Sequence, residues 1–239
     1  MKLSKVILFI FLSMSLSACN TAPITVVTNS VSSFGCPDAE IEWIDMVMIN
    51  DIKYMHHFPE PSDEELTLSI ETGNKLGEVT YKMAGSACSN HKMINGDATY
   101  AEKGSSIYEI KGIPASLAVQ VNDKVFVVET NKKAKTAGEL YPLEGLVSKI
   151  YIESTEDGRR IHEFGPESVQ QFIDTWNTLT LEDVESIERD GSRVFLQIEL
   201  HNDIHFRQVY WRESNSFSNG AIGTTKIKEI IDHELSAIE

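Results

Sequence analysis

The sequence predicts an α+β fold: a β-rich N-terminal part built of hairpins, then a ββαββα unit, an antiparallel sheet with two helices on one face. Three observations predict it. Asn-Asp stands between alternating apolar runs at Asn50-Asp51 and Asn122-Asp123, and a two-residue polar turn in that setting is a hairpin signal. Two later segments each carry an apolar stripe at helical spacing. Each of those segments follows a pair of strand-like runs, and a helix with one apolar stripe needs a sheet to cover it.

Taken in order, Ile44 to Ile49 and Ile52 to Phe58 flank the first Asn-Asp turn. Pairing Ile49 with Ile52 puts Trp43, Val47, Ile49, Ile52, Tyr54 and Phe58 on one face, with Asp45 and His56 opposite each other on it. A cross-strand Asp/His pair reads first as a register device. Pro59 to Glu65 is a proline- and acid-rich loop, Leu76 to Met83 a strand, and Gly85 to Gly96 a long polar loop holding Cys88 and His91. Asp97 to Gly112 reads as two short strands around Lys103-Gly104. Ala115 to Thr130 repeats the hairpin logic around Asn122-Asp123, and the Lys-rich stretch Asn131 to Glu144 marks a soft boundary.

The remainder reads as one unit written twice. Val147 to Glu153 and Arg159 to Phe164 flank Glu156-Asp157-Gly158, and a helix follows from Pro166, a residue suited to a first helical turn. Its stripe is Val169, Phe172, Ile173 and Trp176. The second copy has strands Arg193 to Leu200 and Ile204 to Trp211, then a helix near Thr225 to Ile238 with stripe Ile227, Ile230, Ile231, Leu235 and Ile238. Thr224 or Thr225 can cap it. In the last hairpin a three-residue turn, His201 to Asp203, pairs Leu200 with Ile204, Ile198 with Phe206 and Val194 with Tyr210. A two-residue turn would oppose Ile198 with Arg207, and a one-residue slip flips every side chain. The three-residue register sets Glu199 beside His205 and Gln197 beside Arg207 on a wet face.

The first nineteen residues set the address. Lys2 and Lys5 precede an apolar run from Val6 to Leu12, too short for the ~20 residues of a membrane-spanning helix but right for a secretory signal. Leu16-Ser17-Ala18-Cys19 resembles the lipobox of bacterial lipoproteins. That resemblance implies cleavage before Cys19, a diacylglyceryl group on its sulfur and a place on the outer face of the cell membrane. The expected organisation is a signal peptide over 1–18, an uncharged tether over 19–35, a β-rich domain over 36–144 and the ββαββα domain over 145–239.

Charge narrows the partners. The chain carries a formal charge of −15, and removing residues 1–18 takes away only Lys2 and Lys5, leaving about −17. Such acidity argues against nucleic acid, whose binding depends on Lys and Arg neutralising phosphates, and against lying flat on an anionic bilayer. Hydrophobic residues, at 41%, suffice for a core. Beyond Cys19 the cysteines are Cys36 and Cys88. An even count outside the cytoplasm fits a disulfide between them, with two free thiols as the alternative.

The lipobox, MVMINDIKYM, GDATYAEKGSSIYEIKG and FRQVYWRESNSFSNGAIGTTKIKEII resemble uncharacterised membrane lipoproteins of Bacillus-type bacteria. The likeness covers most of the chain after the signal, through turns and strands rather than reactive groups. The resemblance therefore implies no catalytic role.

Chemistry-bearing motifs are few. There is no Gly-x-Ser-x-Gly elbow and no setting for a Cys/His protease. Cys88-Ser-Asn-His91 has a spacing tolerable for two zinc ligands, but no second pair follows, and His56 and His57 point to opposite faces of a strand. The loop Ser218 to Thr224 leads into a helix N-terminus but lacks the Gly-Lys-Ser/Thr order of a phosphate loop. The sequence thus implies no catalytic residue, no metal and no cofactor. The expected function is a non-catalytic binding or accessory module at the cell envelope, held to the membrane through the lipid at Cys19 and meeting an envelope protein or wall ligand. The alternatives are an envelope hydrolase with Asp45 or Glu199 as general base, and a cation or pH sensor.

Overall fold

The computed structural model describes residues 36, 42–56 and 70–238. The signal segment, Cys19, the tether over 19–35 and the expected loop from Pro59 to Glu65 lie outside the described residues.

The first sheet is built from β1 (Met46–Ile49), β2 (Ile52–Met55), β3 (Thr72–Glu78), β4 (Tyr81–Lys82), β5 (Asp97–Ala98), β6 (Ser106–Ile110), β7 (Ala118–Val121) and β8 (Lys124–Asn131). The one-turn helix α1 (Ala137–Leu140) leads to the second sheet, made of β9 (Val147–Glu153), β10 (Arg160–Glu163), β11 (Arg193–Leu200), β12 (His205–Trp211) and β13 (Ser216–Phe217). Helix α2 (Pro166–Trp176) follows β10, and α3 (Thr225–Leu235) follows β13.

The eight strands run in the order β3-β6-β7-β8-β2-β1-β5-β4. Strands β3 and β4 are thus opposite edges, yet only Val79 and Thr80 separate them in the chain. Three Cα–Cα steps reach ~11 Å, whereas seven strand spacings laid flat would measure ~34 Å. The sheet must therefore roll until its edges meet at that corner. Gly77 marks the closure: a Cβ there would come within 2.7 Å of Ile49 Cδ1 on β1.

Turn chemistry explains the hairpins. Asn50 and Asp51 both take positive φ, at 55° and 66°, in the left-handed region that Asn and Asp tolerate better than most residues. Ile49 pairs with Ile52 and Val47 with Tyr54. The second Asn-Asp turn repeats the device, with Asn122 at φ 55° and Val121 paired with Lys124. In the last hairpin Leu200 N donates to Ile204 O, Ile198 faces Phe206 and Val194 faces Tyr210.

The predicted α+β class with a ββαββα unit is corrected. The protein is β-rich: among the described residues there are thirteen strands against three helices, one of them a single turn. The C-terminal sheet has five strands in the order β10-β9-β11-β12-β13, not four. The extra strand arises where Asn215, at φ 49°, turns the chain back so that Phe217 and Ser216 pair with Tyr210 and Trp211. Leu76 to Met83, expected as one strand, is divided between β3 and β4, the latter pairing in parallel with β5. Two-residue strands are too short to show a period of two, which is why the sequence hides them.

One hydrophobic cluster joins both sheets and the helices. Trp176 at the end of α2 is fully buried, stacks on Phe172 at 5.6 Å, meets Phe217 edge-on at 5.1 Å and donates Nε1–H to Tyr141 O at 3.2 Å. The expected boundary after Glu144 falls between the two sheets, and the core crosses it through the buried Leu140, Tyr141 and Leu143.

Candidate functional site

The five-stranded sheet has two unlike faces. Alternation turns Ile150, Ile152, Leu196 and Ile198 toward the core, and turns Glu153, Gln197, Glu199, His205 and Arg207 to the other side. Cross-strand pairing places Gln197 beside Arg207 and Glu199 beside His205. The wet face expected there is corrected: Gln197 and His205 are each 7% exposed and Glu153 only 2%.

What covers those groups is their own network. The Glu153 carboxylate accepts from Gln197 Nε2 at 2.7 Å and from Arg207 Nε. Arg160 Nε donates to Gln197 Oε1 at 2.6 Å and its Nη2 to Glu199 Oε2 at 2.6 Å. The Arg160 guanidinium lies 4.0 Å from the centre of the Tyr151 ring and that of Arg207 4.8 Å from Phe195. A buried carboxylate survives only if paired and hydrogen-bonded, and Glu153 has both. This cluster is a braced surface rather than a reactive one.

Beside it opens a cleft of about 320 Å³ between the two sheets. Met55 and Glu129 line it from the rolled sheet; Glu153, Gln197 and the His205–Val209 stretch of β12 line it from the other, with Tyr141, Ser218 and Asn219. Such a volume sits at the small end of ligand pockets, ~300–1,000 Å³. Burial and the neighbouring Glu129 carboxylate push the Tyr141 hydroxyl well above its ordinary pKa, against a hydrogen bond from Gln208 that works the other way. The phenol is therefore neutral at physiological pH.

Two residues that line this cleft each hold a buried side-chain atom with no hydrogen-bond partner in the protein: Gln208 Oε1 and Asn219 Nδ2. Gln208 is 2% exposed. An unsatisfied buried polar group costs ~1–3 kcal/mol, so each asks for an explanation. The far end of each amide is committed, since Asn219 Oδ1 accepts from Ala221 N at 3.0 Å and the Gln208 amide engages Tyr141. Those bonds fix which end is left over: a carbonyl on Gln208 and an N–H on Asn219.

The residues singled out from sequence lie elsewhere. Asp45 and His56 are opposite, His56 N donating to Asp45 O at 2.9 Å, but the Asp45 carboxylate takes Lys124 Nζ at 2.6 Å and the His56 ring bonds Val125 O at 2.8 Å. Cys36 and Cys88 are both disulfide-bonded, which withholds the Cys88 sulfur from a metal. His91 Nε2 bonds Asp97 Oδ2 at 2.7 Å. Among the described residues no group of three or more His, Cys, Asp or Glu is placed to hold a metal ion, and no helix is long and apolar enough to cross a membrane. The Ser218–Thr224 loop caps α3, Thr224 Oγ1 accepting from Ile227 N at 3.4 Å, while Ser218 and Asn219 turn into the cleft.

Gln208, Asn219 and Tyr141 went unmarked in the sequence. The signal for Gln208 was legible, because the apolar register that pairs Ile198 with Phe206 and Val194 with Tyr210 also sets Gln208 opposite Leu196 on the core side. A polar residue at an inward position is informative.

No protein-family model, curated protein or solved structure matches the chain.

Proposed function

We propose that the protein is a lipid-anchored, extracytoplasmic binding module that holds a small polar ligand in the cleft between its sheets. The lipobox-like Leu16 to Cys19 and the likeness to Bacillus-type membrane lipoproteins support the address, with the lipid at Cys19 as the link to the membrane. The observation that carries the binding reading is the cleft of about 320 Å³ between the sheets, lined by polar side chains that include Glu129, Gln197, Gln208 and Asn219. The hydrolase reading is weaker, since both acids considered as general bases sit in ion pairs, Asp45 with Lys124 and Glu199 with Arg160. The partner is an envelope protein or wall-derived ligand.

Full-length protein in detergent, titrated with a digest of cell-wall polymer and followed by thermal unfolding, tests this. The expected result is a saturable rise in midpoint that Met55→Trp, which fills the cleft, abolishes. New chain ends in the digest would make the protein a hydrolase, and no rise at any concentration would refute the binding reading. For the address, Cys19→Ser should lose lipid label and release soluble or uncleaved protein; unchanged fractionation without label in the parent would reject the anchor.

A further inference from the structure

Resting on the lipid-anchored reading above, we infer that the protein meets the bilayer a second time, through a lysine-rich rim of the rolled sheet around Ile94 that packs on anionic phospholipid headgroups.

Hydrogen bonds gather this rim from segments far apart in the chain. At the tip of the first hairpin, Asp51 N donates to Asn95 Oδ1 at 2.8 Å, and Asn95 Nδ2 returns a bond to Asp51 Oδ1 at 2.9 Å. Lys133, just past the end of β8, reaches Asp51 Oδ2 at 3.1 Å. Next to Asn95, Gly96 O accepts from Thr80 N at 2.8 Å, and Val79 O accepts from Gly104 N at 2.8 Å. Those bonds bring the Lys103-Gly104 turn to the same place. Ile94 stands in this ring at 63% exposure, the highest of any large hydrophobic residue among those described.

Charge on the rim runs against that of the whole chain. Its carboxylates are already answered: Asp51 by Lys133, Glu102 by Lys82 at 2.5 Å and Glu78 by Lys75 at 3.2 Å, while Glu139 takes Lys135 N at 2.6 Å. Lys92, Lys103 and Lys132 are exposed and, among the described residues, belong to no ion pair. The rim is therefore net positive on a chain of formal charge −15. That sum does not decide the contact, because charges more than ~10 Å from the headgroups are screened at ordinary salt. Lysines close to an anionic leaflet are drawn to it, and an apolar side chain among them enters the headgroup boundary.

The anchor makes so small a patch sufficient. Residues 19–35 carry no charge and span at most ~60 Å when fully extended. Holding the body within that reach raises the effective concentration of lipid at the rim, as linkage does for any second contact. An acidic protein would match the lysines as well, but it is the bilayer that the anchor keeps beside them.

Lysine acylation with an uncharged ester, read residue by residue by mass spectrometry, tests this on the full-length lipidated protein reconstituted in vesicles. One set is phosphatidylcholine alone and the other phosphatidylcholine with phosphatidylglycerol, and the exposed Lys226 on α3 is the internal reference. Lys103, Lys132 and Lys135 should react about tenfold more slowly in the anionic vesicles, with Lys226 unchanged. Salt at about 1 M, where screening acts within ~3 Å, should erase the difference. Lys132→Glu combined with Lys135→Glu, both at exposed positions, should return Lys103 to its rate in phosphatidylcholine while leaving the thermal midpoint near that of the parent. Equal rates in the two vesicles, with the protein floating with both, would overturn the rim contact and leave the anchor standing. Lys226 slowed as much as Lys132 would also overturn it, since the body would then have no preferred face. Protein that floats with neither vesicle would overturn the anchor and the rim contact together.

Discussion

Glu234 offers the sharpest test of how the C-terminal unit is held together. It lies on α3, 5% exposed, and its carboxylate reaches the corner between β10 and α2. It accepts from His162 Nε2 at 2.6 Å and from Gly165 N at 3.3 Å, and it bonds Ser168. Gly165 is the N-cap residue of α2 and has no side chain to cap with; Glu234 takes its backbone N–H from another helix, the part that the Glu of a capping box plays locally. Glu234→Ala leaves three half-buried donors without an acceptor. At about 1 kcal/mol each, the low end for unsatisfied groups, the loss is ~3 kcal/mol, or a midpoint lowered by roughly 9 °C for a domain of this size. The pH dependence is a second readout. Burial works to raise the Glu234 pKa, but the bonds from Ser168, His162 and Gly165 and the nearby imidazole outweigh it and hold the carboxyl below its ordinary 4.5. A carboxyl depressed in the folded state contributes stability that is present above the ordinary value and lost as pH falls through the lower folded one. Urea unfolding of wild type and Glu234→Gln should therefore differ at pH 7 and converge progressively below pH 4.5. A Glu234→Ala protein within 0.5 kcal/mol of wild type, or a gap between wild type and Glu234→Gln that is the same at pH 3.5 and pH 7, would refute this account.

Other perturbations probe the fold piece by piece. Gly77→Val pushes a side chain at Ile49 across the roll and should cost about 1–3 kcal/mol in urea unfolding; an unchanged midpoint would mean the sheet is not rolled as described. Asp203, at φ 64°, should tolerate Gly but lose about 1–2 kcal/mol as Val, measured the same way. Trp176→Phe removes the donor to Tyr141 O and part of a filled core site, so calorimetry should show a loss of about 2–3 kcal/mol. Alkylation with iodoacetamide followed by mass spectrometry should leave Cys36 and Cys88 unlabelled until a reductant is added.

Much of the local structure was legible because turns and periodicity are local signals. The Asn-Asp turns fixed the register of two hairpins, and matching Leu200 to Ile204 fixed a third. Helix α2 buries Phe172, Ile173 and Trp176 from its stripe, although Ile238, placed on the second stripe, is 40% exposed and beyond the end of α3. What the sequence hid depends on partners distant in the chain. Lys132, Lys133 and Lys135 made residues 131–144 look like a boundary, while Leu140, Tyr141 and Leu143 beside them enter the core. Likewise Gln197 and His205 read as solvent-facing and are buried, because nothing in a single strand says what will cover it. The cleft is further removed still: Met55, Tyr141, Gln208 and Asn219 come from segments that only the packing of two sheets brings together.

The two-residue step from Glu78 to Tyr81 has a consequence for how the protein behaves in a crowd. Sheets polymerise by offering an unpaired rim to a copy of themselves. Here the outermost strands are chain neighbours turned toward one another at that corner, so a second molecule finds less rim to add to. Cutting the chain at Val79 and rejoining the old termini would keep every residue and release that restraint, and such a permuted protein should associate where the parent stays dispersed.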